Sequence, residues 1–178
     1  MASYELSPFH ASPALTIVGA IEQLPTHGLN VGFWVRDPHQ SIVWPTQVEG
    51  QPRQDFLWEH TCFEMFVGVK DEDFYREINL SPSHAWQAYA FEEYRYPEHM
   101  PPAHAHDIEL VQLKRTHYGI NAQIDLFQFM SKHKLKWSDL FLGLSVVVET
   151  TDQMHYYAMQ HSGQQPDFHN KRMWIHEF

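Results

Sequence analysis

The chain has 178 residues, 43% of them hydrophobic, which is enough for one substantial core and gives no reason for two domains. Its 22 acidic residues against 12 basic ones give a net charge of −10, so a phosphate backbone is repelled and nucleic acid is not an expected partner. Cys62 is the only cysteine, which rules out an intrachain disulfide. No run approaches the roughly 18 apolar residues of a membrane helix, and Met1-Ala2-Ser3-Tyr4-Glu5 has no basic segment leading into an apolar one. These features lead to the expectation of a cytoplasmic protein with a reduced, buried thiol and no membrane contact.

In chain order, apolar and polar residues alternate with the period of two that marks half-buried strands. Residues 14–22 and 29–36 form the first expected pair, separated by a Pro/Gly turn, with Ile42-Val43-Trp44 as a short third strand. Residues 61–69 follow, placing Phe63, Met65, Val67 and Val69 on one face and Glu64 on the other. Residues 74–80 and 85–92 are joined by Ser81-Pro82-Ser83-His84. The prolines of Pro97-Glu98-His99-Met100-Pro101-Pro102 exclude a central strand there. Residues 107–116 and 118–126 read as a hairpin, the second with Tyr118, Ile120, Ala122, Ile124 and Leu126 inward. The pattern breaks over 127–140, where at most one short helix fits. Residues 142–149, 154–160 and 172–178 complete about ten strands. The expected fold is all-β, an antiparallel β-sandwich of immunoglobulin-like or jelly-roll type, in a single domain over 1–178.

The candidate site lies on the block from Leu57 to Pro82. Tyr75, Glu77 and Asn79 are spaced by two and leave their strand on one side, opposite Phe74, Arg76, Ile78 and Leu80. If this strand pairs with the one carrying Glu64, four polar groups converge on one sheet face, which otherwise reads as an ordinary solvated face. The set Trp58, Trp86, Tyr89, Tyr94 and Tyr96 supplies rings for stacking, and Trp58 and Trp86 are the tryptophans expected to be exposed. His99, His104 and His106 near Asp107 read as a polar loop, since no further Cys or His spacing completes a metal site. Asp167 and His169 read as a pair that locks a turn. No nucleophile elbow, phosphate loop or dinucleotide fingerprint is present.

The blocks Leu57-Trp58-Glu59, Thr61 through Phe66 and Tyr75 through Pro82 resemble DOMON-like proteins related to family-nine carbohydrate-binding modules. So do Leu142 through Glu149, Tyr156 through His161 and Pro166 through His169. The resemblance implies a β-sandwich with a ligand site on one sheet or its rim. Relatives in the wider superfamily bind sugars between aromatic rings, and others bind haem through a Met and His pair. The pattern falls on Trp58, Glu64, Tyr75, Glu77, Asn79, Trp86, Tyr94, Arg95, His161, Asp167 and His169. The leading expectation is therefore a non-enzymatic domain for a small ligand, a saccharide or sugar-containing metabolite, with no metal and no cofactor. The alternatives are a haem- or metal-binding domain, motivated by 14 His and seven Met, and a glycoside-processing enzyme using Glu64 and Glu77.

Overall fold

A computed structural model describes residues 1–10 and 15–178. Among these residues eleven strands build the sheet. They are β1 (Ala2–Pro8), β2 (Thr16–Gln23), β3 (Gly28–Arg36), β4 (Cys62–Val69), β5 (Tyr75–Leu80), β6 (Trp86–Phe91), β7 (Glu109–Thr116), β8 (Gly119–Asp125), β9 (Leu140–Glu149), β10 (Met154–Ala158) and β11 (His176–Glu177). One α-helix, α1 (Phe127–His133), sits where the strand pattern breaks, and single 3₁₀ turns lie at Leu57–Glu59, Trp137–Asp139 and Lys171–Met173. Residue 14, the first of the expected 14–22 strand, is outside the described residues.

All strand pairs are antiparallel, and the strands follow one path, β6-β5-β4-β9-β10-β1-β2-β3-β8-β7, with β11 added on β9. The all-β antiparallel expectation holds, but two separate sheets are not what forms. β1 was not anticipated, and it joins the halves. Its Ala2–Leu6 stretch pairs with β2, and its Ser7 and Pro8 pair with Ala158 and Tyr157 of β10. The sheet curls so that both halves share one core. Ile17, Val31, Phe33 and Ile120 come from one half, and Phe63, Met65, Ile78 and Val146 from the other. The rings of Phe33 and Phe63 meet across it at 5.0 Å. The C-terminal segment expected as one strand over 172–178 is a 3₁₀ turn followed by the two-residue β11.

Every residue of β4 and β5 is buried, so both faces of this half are covered. One face packs into the shared core. The other carries Cys62, Glu64 and Phe66 of β4 beside Tyr75, Glu77 and Asn79 of β5, with Glu64 opposite Asn79 and Phe66 opposite Glu77. Beyond them lie Gln87, Tyr89 and Phe91 of β6 and Ser145 and Val147 of β9. Loops close over this second face, and that cover turns a sheet surface into a chamber. Tyr118, expected inward, is instead exposed at the β7–β8 turn, while Ile120, Ala122, Ile124 and Leu126 are buried.

Candidate functional site

The second face and its loops enclose a cavity of about 570 Å³. Glu64 and Glu77 form its floor. Trp58, Phe91, Val147, Tyr156 and Phe168 supply its apolar walls, and the 95–102 loop forms the remaining side with Arg95, Glu98, His99 and Met100. This volume lies within the range of small-molecule pockets, and a few polar groups among rings are the usual lining.

The floor is dry and acidic. Glu64 is 3% exposed and Glu77 5%. Register makes them diagonal neighbours on adjacent strands, a spacing of roughly 7–8 Å between Cβ atoms that long side chains can bridge. Ser145 donates to Glu64 Oε2 at 3.0 Å, and Asn79 donates through Nδ2 to Glu77 Oε1 at 2.9 Å. Burial raises both carboxyls above the ordinary carboxylate value of 4.5, and the charge of Glu77 raises Glu64 further. Asn79 Oδ1 is buried without a donor. Glu64 lies directly across from Asn79 in register.

His169 is neutral here. Burial, and then the charge of Arg95, push it down to about 3. The backbone N–H of Arg95 donates to the Tyr75 hydroxyl at 3.1 Å, and that hydroxyl lies 2.7 Å from His169 Nδ1. The Tyr75 hydroxyl and His169 Nδ1 share a hydrogen bond, and the other ring nitrogen, Nε2, lies 3.6 Å from Glu77 Oε2. Burial also pushes the Tyr75 phenol up, so the hydroxyl stays protonated.

Asp167 ties the loops together. It accepts from the Tyr94 hydroxyl at 3.0 Å, from Arg95 at 3.2 Å and from the backbone N–H of His169 at 3.1 Å. The turn-locking reading of Asp167 thus has a direct counterpart, although the contact to His169 runs through its backbone. Arg95 sits at φ 53° in the Glu93–Tyr96 turn, a left-handed conformation that a residue with a Cβ adopts only when its surroundings hold it. Here the bonds to Tyr75 and Asp167 do so.

The residues singled out from sequence therefore separate. Trp58, Glu64, Glu77, Arg95 and His169 line the cavity, whereas Tyr75, Asn79 and Asp167 stand behind them and hold them. His161 is peripheral, bonded through Nε2 to the Ser7 carbonyl at 2.7 Å. Trp86 is a correction. It is 7% exposed and belongs to the core, with Arg53 over its ring at 4.3 Å and its indole N–H on the Gln51 carbonyl. Its side chain points to the core face because it pairs with Leu80, not with Asn79. The polar face of β4 and β5 is not the ordinary solvated face that was the alternative reading; it is covered.

Sequence reasoning missed the 95–102 loop as a wall. Its prolines marked it only as irregular. His99 lines the cavity, but His104 is instead bonded to Asp55 at 2.8 Å and Asp107 is taken by Arg76, so the histidines do not converge. Among the described residues no three His, Cys, Asp or Glu side chains group to hold a metal. Met100 is the one methionine lining the cavity, next to His99 in sequence. His99 and Met100, consecutive residues of one loop, reach the cavity from the same side and so do not by themselves bracket a haem iron. Among the described residues no helix is long and apolar enough to cross a membrane.

The buried acids make stability depend on pH. A carboxyl whose folded value is raised binds its proton more tightly in the folded chain than in the unfolded one. From the ordinary value of 4.5 upward to the raised range, the folded state holds more protons, so stability falls as pH rises. Glu77→Gln makes this slope shallower, leaving the share of Glu64, and above neutral pH is more stable than the wild type by roughly 2 kcal/mol. Urea titrations at pH 5 and pH 8 measure the difference, and equal slopes in the two proteins would contradict it.

No family model matches the chain, and no curated protein matches it. A solved structure does match: a Bacteroides uniformis protein described as a candidate carbohydrate-binding protein, with a TM-score of 0.62 over 96% of this chain and 84% of that one, at 11% sequence identity. Likeness at that identity is a likeness of fold and carries no residue-by-residue correspondence.

Proposed function

We propose that this chain is a non-enzymatic ligand-binding domain, one DOMON-like antiparallel β domain over residues 1–178, whose cavity takes a saccharide or sugar-containing metabolite. The observation that carries this reading is a ring-walled chamber of about 570 Å³ over a floor of two buried carboxyls. The fold likeness to a protein described as a candidate carbohydrate-binding protein agrees with it. Sugars present apolar C–H faces and a rim of hydroxyls, and they need both kinds of partner. Trp58 lies edge-on to Tyr89 at 5.5 Å and offers its ring to the chamber. In this reading Trp58 stacks on a sugar face, Glu64 and Glu77 accept from hydroxyls, and Arg95 donates at the rim. Tyr75, Asn79 and Asp167 position these groups.

A glycan array followed by titration calorimetry tests the proposal. Trp58→Ala is expected to weaken the saccharide selected at least tenfold, about 1.4 kcal/mol, while leaving the unfolding midpoint close to that of the wild type. No saccharide bound by the wild type at millimolar concentration would sink the reading.

A second reading, glycoside hydrolysis, gains from one finding: both floor carboxyls are desolvated, as a general acid must be. Release of nitrophenol from an aryl glycoside panel, abolished by Glu64→Gln, is its expected result. No release by the wild type would leave binding as the function.

A further inference from the structure

We infer that the ligand of this cavity carries an ammonium group, held from the floor by Glu64 and Glu77 and surrounded by the rings of Trp58, Phe91, Tyr156 and Phe168. This rests on the saccharide reading and narrows it to amino sugars.

The argument starts from charge. Glu64 and Glu77 face each other diagonally at the bottom of a dry chamber. Glu98 adds a third carboxyl at the wall. The charged and titratable groups around the floor come from every element packed against it. Cys62 is on β4, Tyr75 on β5 and Tyr89 on β6; Arg95, Glu98 and His99 come from one loop, Asp167 and His169 from another. Arg95 is the single permanent cation among them, and its guanidinium is held by Asp167 at 3.2 Å. His169 has both ring nitrogens engaged and stays neutral. Arg95 is shared between Asp167 and the two floor carboxyls, so a charge on the floor has no cation to itself.

A neutral hydroxyl donates one hydrogen bond to such a floor and leaves that charge in place. An ammonium supplies three donors and the missing charge together. The walls agree with this. The faces of aromatic rings are electron-rich, and an ammonium within about 6 Å of them is attracted, more so where water is excluded. Rings that would serve equally for stacking a neutral sugar here surround an acidic floor, and that combination selects a cation.

Three β-1,4-linked disaccharides that differ only at C2 test the inference: cellobiose with hydroxyls, diacetylchitobiose with acetamides, and the glucosamine dimer with ammonium groups. Calorimetry with the wild type at pH 7 is expected to show the glucosamine dimer at least tenfold tighter than either of the others. The preference shrinks towards unity at pH 5, where both floor acids are protonated. Glu77→Gln removes the preference at pH 7, whereas His99→Asn leaves its pH dependence intact. Equal affinities for all three disaccharides would overturn the ammonium while leaving the saccharide reading standing, and no binding by any of them would overturn both. The comparison among ligands uses only the wild type, so it stands even if the Glu77 variant fails to fold.

Discussion

Replacing Trp174 by alanine is expected to lower stability by about 3–5 kcal/mol and to abolish ligand binding at temperatures where the variant remains folded. Trp174 is 6% exposed and sits behind the cavity. Its ring stacks on Phe66 at 5.1 Å, meets Tyr75 edge-on at 5.3 Å and lies tilted against Phe141 at 5.7 Å. Its indole N–H donates to the Phe168 carbonyl at 2.8 Å, which fixes the loop that supplies one aromatic wall. The sheet leaves a place for it: a Cβ on Gly143 would come within 2.2 Å of Trp174 Cδ1. Alanine at 174 opens a void among three rings and frees the 166–170 loop. Thermal unfolding gives the first effect and hydrogen exchange over 166–170 the second. A variant that keeps wild-type protection in that loop would refute the anchoring role. Trp174→Phe fills most of the space but lacks the N–H, and so separates packing from tethering.

Arg76→Ala should cost a similar amount, about 3–5 kcal/mol, through a different cause. Arg76 faces the core side of β5 among apolar residues. Its guanidinium grips Asp107 with Nε at 2.8 Å and a terminal nitrogen at 2.7 Å, and it lies 4.9 Å over the Phe129 ring. Both side chains of the pair are close to fully buried. The Asp107 carbonyl accepts from the Phe129 N–H, so the pair also seats α1 against the sheet. Removing the arginine strands a carboxylate that only Lys132, at 3.7 Å and exposed, can partly neutralise. Changing both Arg76 and Asp107 to apolar residues is expected to recover much of the loss, because no buried charge is then left unpaired. Denaturant midpoints of the two singles and the double measure this coupling. Strictly additive losses would show that the pair acts as two independent contacts.

Much of the second half-sheet was legible because its strands alternate. The placement of Glu64 with Tyr75, Glu77 and Asn79 follows from a period of two and the pairing of β4 with β5. What alternation cannot report is cover. A polar face that reads as solvated is the same string of letters whether water or a loop lies over it, and here the 95–102 and 166–169 loops decide the matter. Trp86 was misplaced for a related reason: the turn before it gives no clue to which side its ring takes, and only the register against Leu80 does. β1 escaped notice because Ala2 through Pro8 has one buried residue, Leu6, and so no apolar stripe to announce a strand. Its strand character comes from neighbours on both sides, not from its own side chains. The loop wall of Arg95 to Pro102 had a signal in its three acidic, basic and imidazole side chains among prolines, but nothing local says that they lean over a distant carboxyl pair.

That inconspicuous β1 also sets the order in which the molecule can be finished. Its Ser7 and Pro8 pair with Ala158 and Tyr157, so the seam between the halves closes only after the chain through residue 158 is present. Contacts so distant along the chain demand that a long loop be ordered before any reward is collected, which slows folding. While the chain is being synthesised, the early strands wait with an open edge, and the ligand chamber, whose last wall comes from residues 166–169, is among the final parts to take shape.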